Sequence, residues 1–469
     1  MARPPRPPLS FFKTLRSRAK DYLLVICLLL VIYLLYHQPL HAPLSQRTQP
    51  LPVFSRAATT NLTRNHLLFS IASSSNSLPG RLPYIRLWFS TYSTRAVAFL
   101  DRVPPKPSPS SPPIIISGDT SCFPYTFLKG HRSAIRLARV VKEAVDLNLS
   151  DVRWFVFGDD DTVFFVDNLV MTLAKYDHER WFYVGANSES YEQNAKNSFD
   201  MAFGGGGFAI SASLARVLAR VLDSCLFRYS HLYGSDSRVF SCLGELGVGL
   251  THEPGFHQVD MRGNLFGMLS AHPLSPLVSL HHLDSVDPIF PNMNRTQALE
   301  HLFKAVNADP ARVLQQTVCY DRSNNFTVSV SWGYAIQVLE GNVLLPDLLL
   351  LQRTFMPWKR GRNNDAATYM FNTRDYPRDP CKRPTVFFLE SVISDETGVQ
   401  SNYVNQIVGD CPKRIKNLEK IRVLSHQLEL GIEQMKAPCR QCCDISPSNE
   451  SMVINIRQCG VDELISMFV

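Results

Sequence analysis

The segment Arg153-Trp-Phe-Val-Phe-Gly-Asp159-Asp160-Asp161 constrains this chain more than any other. The apolar run Trp154–Phe157 reads as a buried strand. It delivers three consecutive aspartates to its C-terminal end, and side-by-side carboxylates repel. Folding alone gives no reason to gather them. A divalent cation would neutralise them, and carboxylate oxygens suit Mg or Mn. The plainer alternative is a solvated acidic turn in which one aspartate caps a helix.

The surroundings of that strand set its class. His66-Leu-Leu-Phe-Ser-Ile is a short apolar run typical of a buried strand, and Arg81–Ser90 reads as a helix with Tyr84, Ile85, Leu87 and Trp88 available for its inner side. Arg95–Asp101 is a second strand. Pro104–Pro113 holds six prolines in ten residues and is a loop. Ser133–Leu149 is a helix, with Ile135, Ala138, Val141 and Val145 at spacings of three and four. Alternating strands and helices imply an α/β layer with a mostly parallel central sheet, and such sheets collect ligands at the carboxyl ends of their strands. Beyond about Val330 the order changes. Short runs such as Thr385–Leu389 and Met452–Ile456 sit among Cys, Pro and Asn, as in a smaller β-rich, disulfide-braced region.

Charge is concentrated at the front. The chain of 469 residues carries 48 basic and 41 acidic side chains, a formal charge of +7. Arg3, Arg6, Lys13, Arg16, Arg18 and Lys20 supply six of the basic ones, which leaves 42 against 41. A nearly neutral body gives no support to nucleic-acid binding. Tyr22–Tyr36 follows without a charge and would span roughly 22 Å as a helix, suited to a thin bilayer. We read it as an uncleaved signal anchor, with a cleaved signal peptide as the alternative. The basic flank then leaves residues 1–21 cytosolic and the rest lumenal. Apart from Cys27 there are ten cysteines, an even number that fits disulfides in an oxidising compartment, and five Asn-x-Ser/Thr sequons agree with export. Cys439-x-x-Cys442-Cys443 lacks a second pair or a nearby histidine to complete a zinc site.

Two chemistries fit an acidic strand end of this kind. One is glycosyl transfer from a nucleotide sugar, where a metal bridges the diphosphate. The other is phosphoryl transfer of the haloacid-dehalogenase type, whose Asp-x-Asp-x-Thr/Val pattern Asp159-x-Asp161-x-Val163 satisfies. The second needs a downstream lysine and a further acidic pair, and no convincing set follows. Ala202-Phe-Gly204-Gly-Gly-Gly207-Phe is a run that lets backbone approach a ligand closely. Tyr233-Gly-Ser-Asp236 comes next, then Leu277-Val-Ser-Leu-His281-His282-Leu-Asp284, an apolar run whose paired histidines can turn one imidazole inward.

This succession resembles the fringe-type β-1,3-glycosyltransferases of glycosyltransferase family 31, and within them the plant branch of undefined substrate. The likeness covers roughly Leu67 to Asp284. The plant-branch likeness continues through Cys319-Tyr-Asp, Trp332-Gly, Arg353-Thr-Phe, Phe371-Asn-Thr-Arg374 and Cys442-Cys443. The resemblance implies a GT-A fold, a UDP-sugar donor, Mn (or Mg) and inversion at the anomeric carbon. It implies Asp161 and His282 as metal ligands, Asp160 and Arg81 as donor contacts, Asp236 as catalytic base, and the four glycines, Gly205 and Gly206 among them, as binding residues that line the acceptor side. The expected organisation is a cytosolic tail at 1–21, an anchor at 22–36 and a stem at 37–65. A GT-A domain then occupies 66–330 and a β-rich extension 331–469. Such a protein would sit in the Golgi membrane, moving a hexose or N-acetylhexosamine to a glycan or glycoprotein. The alternative is a non-catalytic lumenal protein that keeps the fold to bind glycans or organise partners.

Overall fold

The computed structural model describes residues 26–31, 33, 62–105, 108–359, 368–406, 411, 418–447 and 451–468. The chain divides into Met1–Thr60 and Asn61–Val469. In the first unit, residues 26–31 and 33 are helical and exposed. Among the described residues no helix is long and apolar enough to cross a membrane. The expected tail at 1–21 and most of the expected anchor and stem lie outside the described residues. Residues 62–65, expected in the stem, belong to the second unit: Arg64 donates from Nε to Asp167 Oδ1 at 2.7 Å.

In the second unit β1 (Leu67–Ala72), β2 (Ala96–Leu100), β3 (Ile114–Ile116) and β4 (Trp154–Asp159) run parallel in the order β3-β2-β1-β4. From β1 the chain turns to β2 on one side and later returns to β4 on the other. The crevice beyond the carboxyl ends of β1 and β4 is therefore a topological switch point, where open α/β sheets bind ligands. After β5 (Val163–Phe164) come β6 (Tyr183–Gly185), β7 (Phe208–Ser211) and β8 (Leu250–His252), which complete the sheet in the order β4-β7-β6-β8 with β7 antiparallel to both neighbours. The sheet is thus mixed, with its parallel half carrying the acidic strand end.

Both faces of β4 are covered, which explains its unbroken apolar run. Trp154 and Val156 join a cluster with Phe69, Trp88 and Phe164, while Phe155 and Phe157 pack on the other side with Ile135, Ala138 and Val141. The last three lie on the helix Ser133–Asp146, whose apolar stripe meets Leu214, Leu218 and Leu222 of the helix Ala212–Arg228. Each of the larger side chains, Ile, Val, Leu or Phe, contributes about 1.5–3 kcal/mol on burial. Another helix spans Leu78–Trp88, starting ahead of the expected Arg81 because Pro79 suits a first helical turn.

The short strands β9 (Met261–Gly263) and β10 (Ser279–Leu280) lead into a second sheet. Its strands are β11 (Gln316–Asp321), β12 (Phe326–Ser331) and β13 (Ala335–Glu340), then, after the short β14 (Leu351–Gln352), β15 (Phe355–Pro357) and β16 (Thr373–Arg374), β17 (Thr385–Asp395), β18 (Gly398–Asn405), β19 (Lys420–Ser425), β20 (Cys442–Pro447) and β21 (Ser451–Arg457). Their order is β11-β12-β13-β17-β18-β19-β21-β20. The expected β-rich region is therefore present, but the boundary drawn between 330 and 331 falls inside β12. One apolar cluster runs from Phe69 and Val156 to Val328, Ile421 and Ile454, so the two sheets share a core.

Cys319–Cys443 links β11 to β20, the two edge strands of the second sheet. The sheet thus curls until its edges meet, which shields strand edges that would otherwise be open to pairing. Cys225–Cys242, Cys381–Cys411 and Cys442–Cys459 are the other bridges, while Cys122 and Cys439 carry none. The even count of ten does not translate into five bridges.

Candidate functional site

At the end of β4 the chain turns sharply. Asp159 N–H donates to Thr162 Oγ1 at 2.8 Å, and that hydroxyl donates to Gly205 O at 2.7 Å. The turn therefore fixes the three aspartates and ties them to the glycine run. Asp160 points back toward the end of β1, where Ser73, the residue after the strand, donates from Oγ to its Oδ2 at 2.6 Å. Arg81, from the helix after β1, reaches Asp161 Oδ2 at 3.3 Å and Asp160 Oδ1 at 3.9 Å. It also pairs with Asp284, which accepts from Tyr84 as well.

The structure places His281 against the carboxylates. Its Nε2 lies 3.1 Å from Asp161 Oδ1 and 3.9 Å from Asp159 Oδ2. His282, the expected ligand, turns its Nδ1 to Asp260 Oδ1 at 3.1 Å instead. The signal for this was in the strand period. Side chains two apart share a face. Ser279 donates to Gly206 O, and His281 follows it on that face, toward the glycines.

The glycines allow these approaches. A Cβ at Gly205 would come within 2.1 Å of His281 Cε1, and one at Gly204 within 2.6 Å of Asp236 Oδ1. The space a side chain would fill is taken by the protein's own site residues. Gly206 N–H donates to Gln258 Oε1 at 2.6 Å. Asp236 stands in the first turn of the helix Ser235–Glu245 and accepts from Ser235 Oγ at 3.0 Å. Asp159, Gly204, Ser235 and Asp236 line one small cavity of about 30 Å³.

Electrostatics separates the carboxyls. Burial pushes Asp161 up, but the adjacent His281, then Arg81 and His282, hold it down to about 2. Asp159 keeps 45% of its side chain open to the cleft. The protein mass around it, reinforced by Asp236, Asp161 and Asp160 against the pull of His281, pushes it up to about 7. Burial also raises Asp160, against the hydroxyls of Ser73 and Ser77, and raises Asp236, against the Gly204 N–H and Ser235. Burial lowers His281, but Asp161 and Asp159 outweigh it and the net shift is upward.

Asp159, Asp161 and His281 each bring a donor atom, all within 4.8 Å of one another. The two carboxylates suit Mn or Mg, the imidazole beside them favours a transition ion such as Mn over Mg, and the crowding of negative charge around Asp159 is what a cation would relieve. The residues present therefore fit the group.

Sequence reasoning missed a supporting layer. Asp260 accepts from Ser188 Oγ at 2.6 Å while facing His282. Glu189 Oε2 accepts from Val259 N–H at 2.8 Å and its Oε1 lies 3.1 Å from His257 Nδ1. His257 Nε2 meets His272 Nε2 at 2.9 Å, and His272 Nδ1 donates to Pro273 O at 2.8 Å. That carbonyl fixes the tautomer, so His257 must donate to His272. Val259 is held at φ +55°, a left-handed conformation that is an outlier for a β-branched residue. Singly placed acids and histidines give no sequence signal for such a layer.

Residues 193–443 match the family described as "Protein of unknown function, DUF604". The chain belongs to the DUF604 family. The match takes in the glycine run, Asp236 and His281, and leaves Asp159–Asp161 outside it. This DUF604 member is also similar to a protein named β-1,3-glucosyltransferase from Mus musculus, 29% identical over 120 residues, which are 25% of this chain and 23% of that protein. The chain thus matches about a quarter of its curated relative's length.

Proposed function

We propose that the protein is a metal-dependent glycosyltransferase that moves a hexose or N-acetylhexosamine from a UDP-sugar to a glycan or glycoprotein hydroxyl, with inversion and a β-1,3 linkage. The observation that carries the reading is the convergence of Asp159, Asp161 and His281 beyond the switch point of the sheet, with Asp236 on the same cavity. The partial likeness to a β-1,3-glucosyltransferase supports it. So does the fringe-like order of motifs, plant branch included, and with it a GT-A assignment for the first sheet.

In this reading Asp159, Asp161 and His281 hold a divalent cation, which when bound supplies Lewis-acid neutralisation of a diphosphate leaving group. Asp160 and Arg81 contact the donor, with Ser73 holding the Asp160 carboxyl in place. Asp236 takes the proton of the acceptor hydroxyl as that oxygen attacks the anomeric carbon. A raised proton affinity suits a base working near neutral pH, and such help is worth about 10²–10⁴-fold. The disulfides accord with an oxidising compartment, and we place the body in the Golgi lumen behind the anchor at 22–36.

Incubation of the purified full-length chain with Mn and a panel of UDP-sugars, scored for UDP release, tests the reading. Asp161→Ala should abolish metal-dependent donor binding. Asp236→Asn should retain it and lose transfer. Phosphate release from a phosphomonoester, with no UDP released from any sugar nucleotide, would overturn the assignment. Glycan binding without any turnover would favour a non-catalytic role.

A further inference from the structure

Trp358 lies beyond the first sheet, in the region for which the sequence offers no task. It follows β15, which pairs antiparallel with β9 in the register Phe355↔Gly263, Met356↔Arg262 and Pro357↔Met261. One step further sets Trp358 beside Asp260. Arg262 Nε donates to Trp358 O at 2.5 Å, and its guanidinium carbon lies 4.9 Å from the indole centre. The indole stacks on His282 at 4.3 Å between centroids and 11° between planes. The His282 ring in turn lies 3.9 Å from that of His281.

Two rings cannot occupy one face of an imidazole at these separations, so His281 and Trp358 cover opposite faces of His282. Asp260 Oδ1 lies near the edge of the same ring, 3.1 Å from Nδ1. His281 is thereby confined between the His282 ring and Gly205. The arrangement has to be held, because His282 sits at φ +52°, a left-handed conformation that side chains other than glycine keep only when their surroundings over-determine it.

We propose that Trp358 is a positioning residue which, through His282, fixes the His281 imidazole for cation binding. The inference rests on the metal reading of Asp159, Asp161 and His281. It gives the second half of the chain a part in the site: the segment after β13 supplies the outer face of the histidine stack. Groups that orient a metal-binding histidine change metal affinity without touching the metal.

The test is Mn binding by the full-length chain, followed by the electron paramagnetic resonance signal of free Mn. Trp358→Ala and Trp358→Leu should weaken Mn binding by about 10–100-fold, as loss of such outer support does elsewhere. Trp358→Phe keeps a stacking plane and should stay within about threefold of the parent. Trp358→Leu preserves apolar bulk, so its melting temperature in EDTA should stay near that of the Phe variant. A role confined to packing would make Leu and Phe equivalent in Mn affinity, and that result overturns the inference. An unsubstituted chain that binds no Mn overturns the metal reading, and the inference with it.

Discussion

Alanine at Gly205 gives the most direct test of how the site is assembled. The new Cβ would lie 2.1 Å from His281 Cε1 and 2.5 Å from each ring nitrogen. Ordinary contact begins at 3.4 Å, so the ring must retreat by about 1.3 Å, the difference between 3.4 and 2.1. The His282 ring, 3.9 Å away, leaves it little room to do so. Gly205 is not among the residues at positive φ, so the penalty is steric rather than conformational. Overpacking of this kind costs about 1–3 kcal/mol, and metal-ligand distances tolerate only about 0.2 Å. Gly205→Ala should therefore fold with a lowered melting temperature and bind Mn about 100-fold more weakly or worse. Gly204→Ala should behave differently. Its Cβ meets Asp236 Oδ1 at 2.6 Å and no metal-site atom among its nearest neighbours, so transfer should fall while Mn binding persists. Gly244→Ala, with nothing within 4 Å, is the control. Mn titration with thermal melts reads all three. If Gly205→Ala bound Mn within about threefold of the parent while His281→Ala lost it, the placement of His281 against the glycine run would be refuted.

Three further outcomes follow from the same geometry. Asp159 is raised from 3.8 to about 7, so the stability it contributes is full below the unfolded value and is lost as pH rises through the folded one. Asp159→Asn should therefore stabilise the EDTA-treated chain at pH 8 and leave it unchanged near pH 4. The shift alone would give about 4 kcal/mol, and screening of so open a side chain cuts this to about 1–2 kcal/mol in thermal melts. Glu189→Gln should weaken the clamp on the strained Val259 and lower transfer, and Val259→Gly in the same chain should restore part of that loss, since glycine holds φ +55° without cost; a double substitution no better than the single one would count against the clamp. Replacing Cys319 and Cys443 by serine opens a bridge that spans 124 residues and joins the edges of the second sheet, and should cost about 2–5 kcal/mol in denaturant unfolding.

The parts of this molecule legible from sequence are those with local causes. Trp154–Phe157 announced a buried strand because both faces of β4 are covered, and the period of Ile135, Ala138 and Val141 announced the helix above it. Asp159–Asp161 stood out because like charges rarely gather without a reason. The rest depends on contacts between distant segments. His281 and His282 are indistinguishable by type, and only the face shared with Ser279 separates them. The cysteine count could not show that Cys122 and Cys439 stay unpaired. The extension after 330 could not be seen to share a core with the first sheet, because β12 and β13 look like any apolar strands until their partners are known.

The charges around the cleft divide the work between carboxylates. Asp284 is taken by Arg81 and Tyr84, Asp161 by His281 and Arg81, Asp260 by Ser188 with His282 alongside, and Asp160 by Ser73. Asp159, Asp160 and Asp236 all carry raised proton affinity, and of these Asp159 and Asp236 line one cavity. Environments that push neighbouring carboxyls apart mark out different roles. Asp159, beside Asp161 and His281, has the donor set of a cation site. Asp236 is held by the Gly204 N–H and Ser235 instead, which leaves it available to a proton. A base with raised affinity must lose its proton before it can act, so at saturating Mn the transfer rate should climb on an acid limb above the ordinary carboxylate range. An acid limb near pH 4, or one that survives unchanged in Asp236→Asn at the parent rate, would remove Asp236 from the role of base.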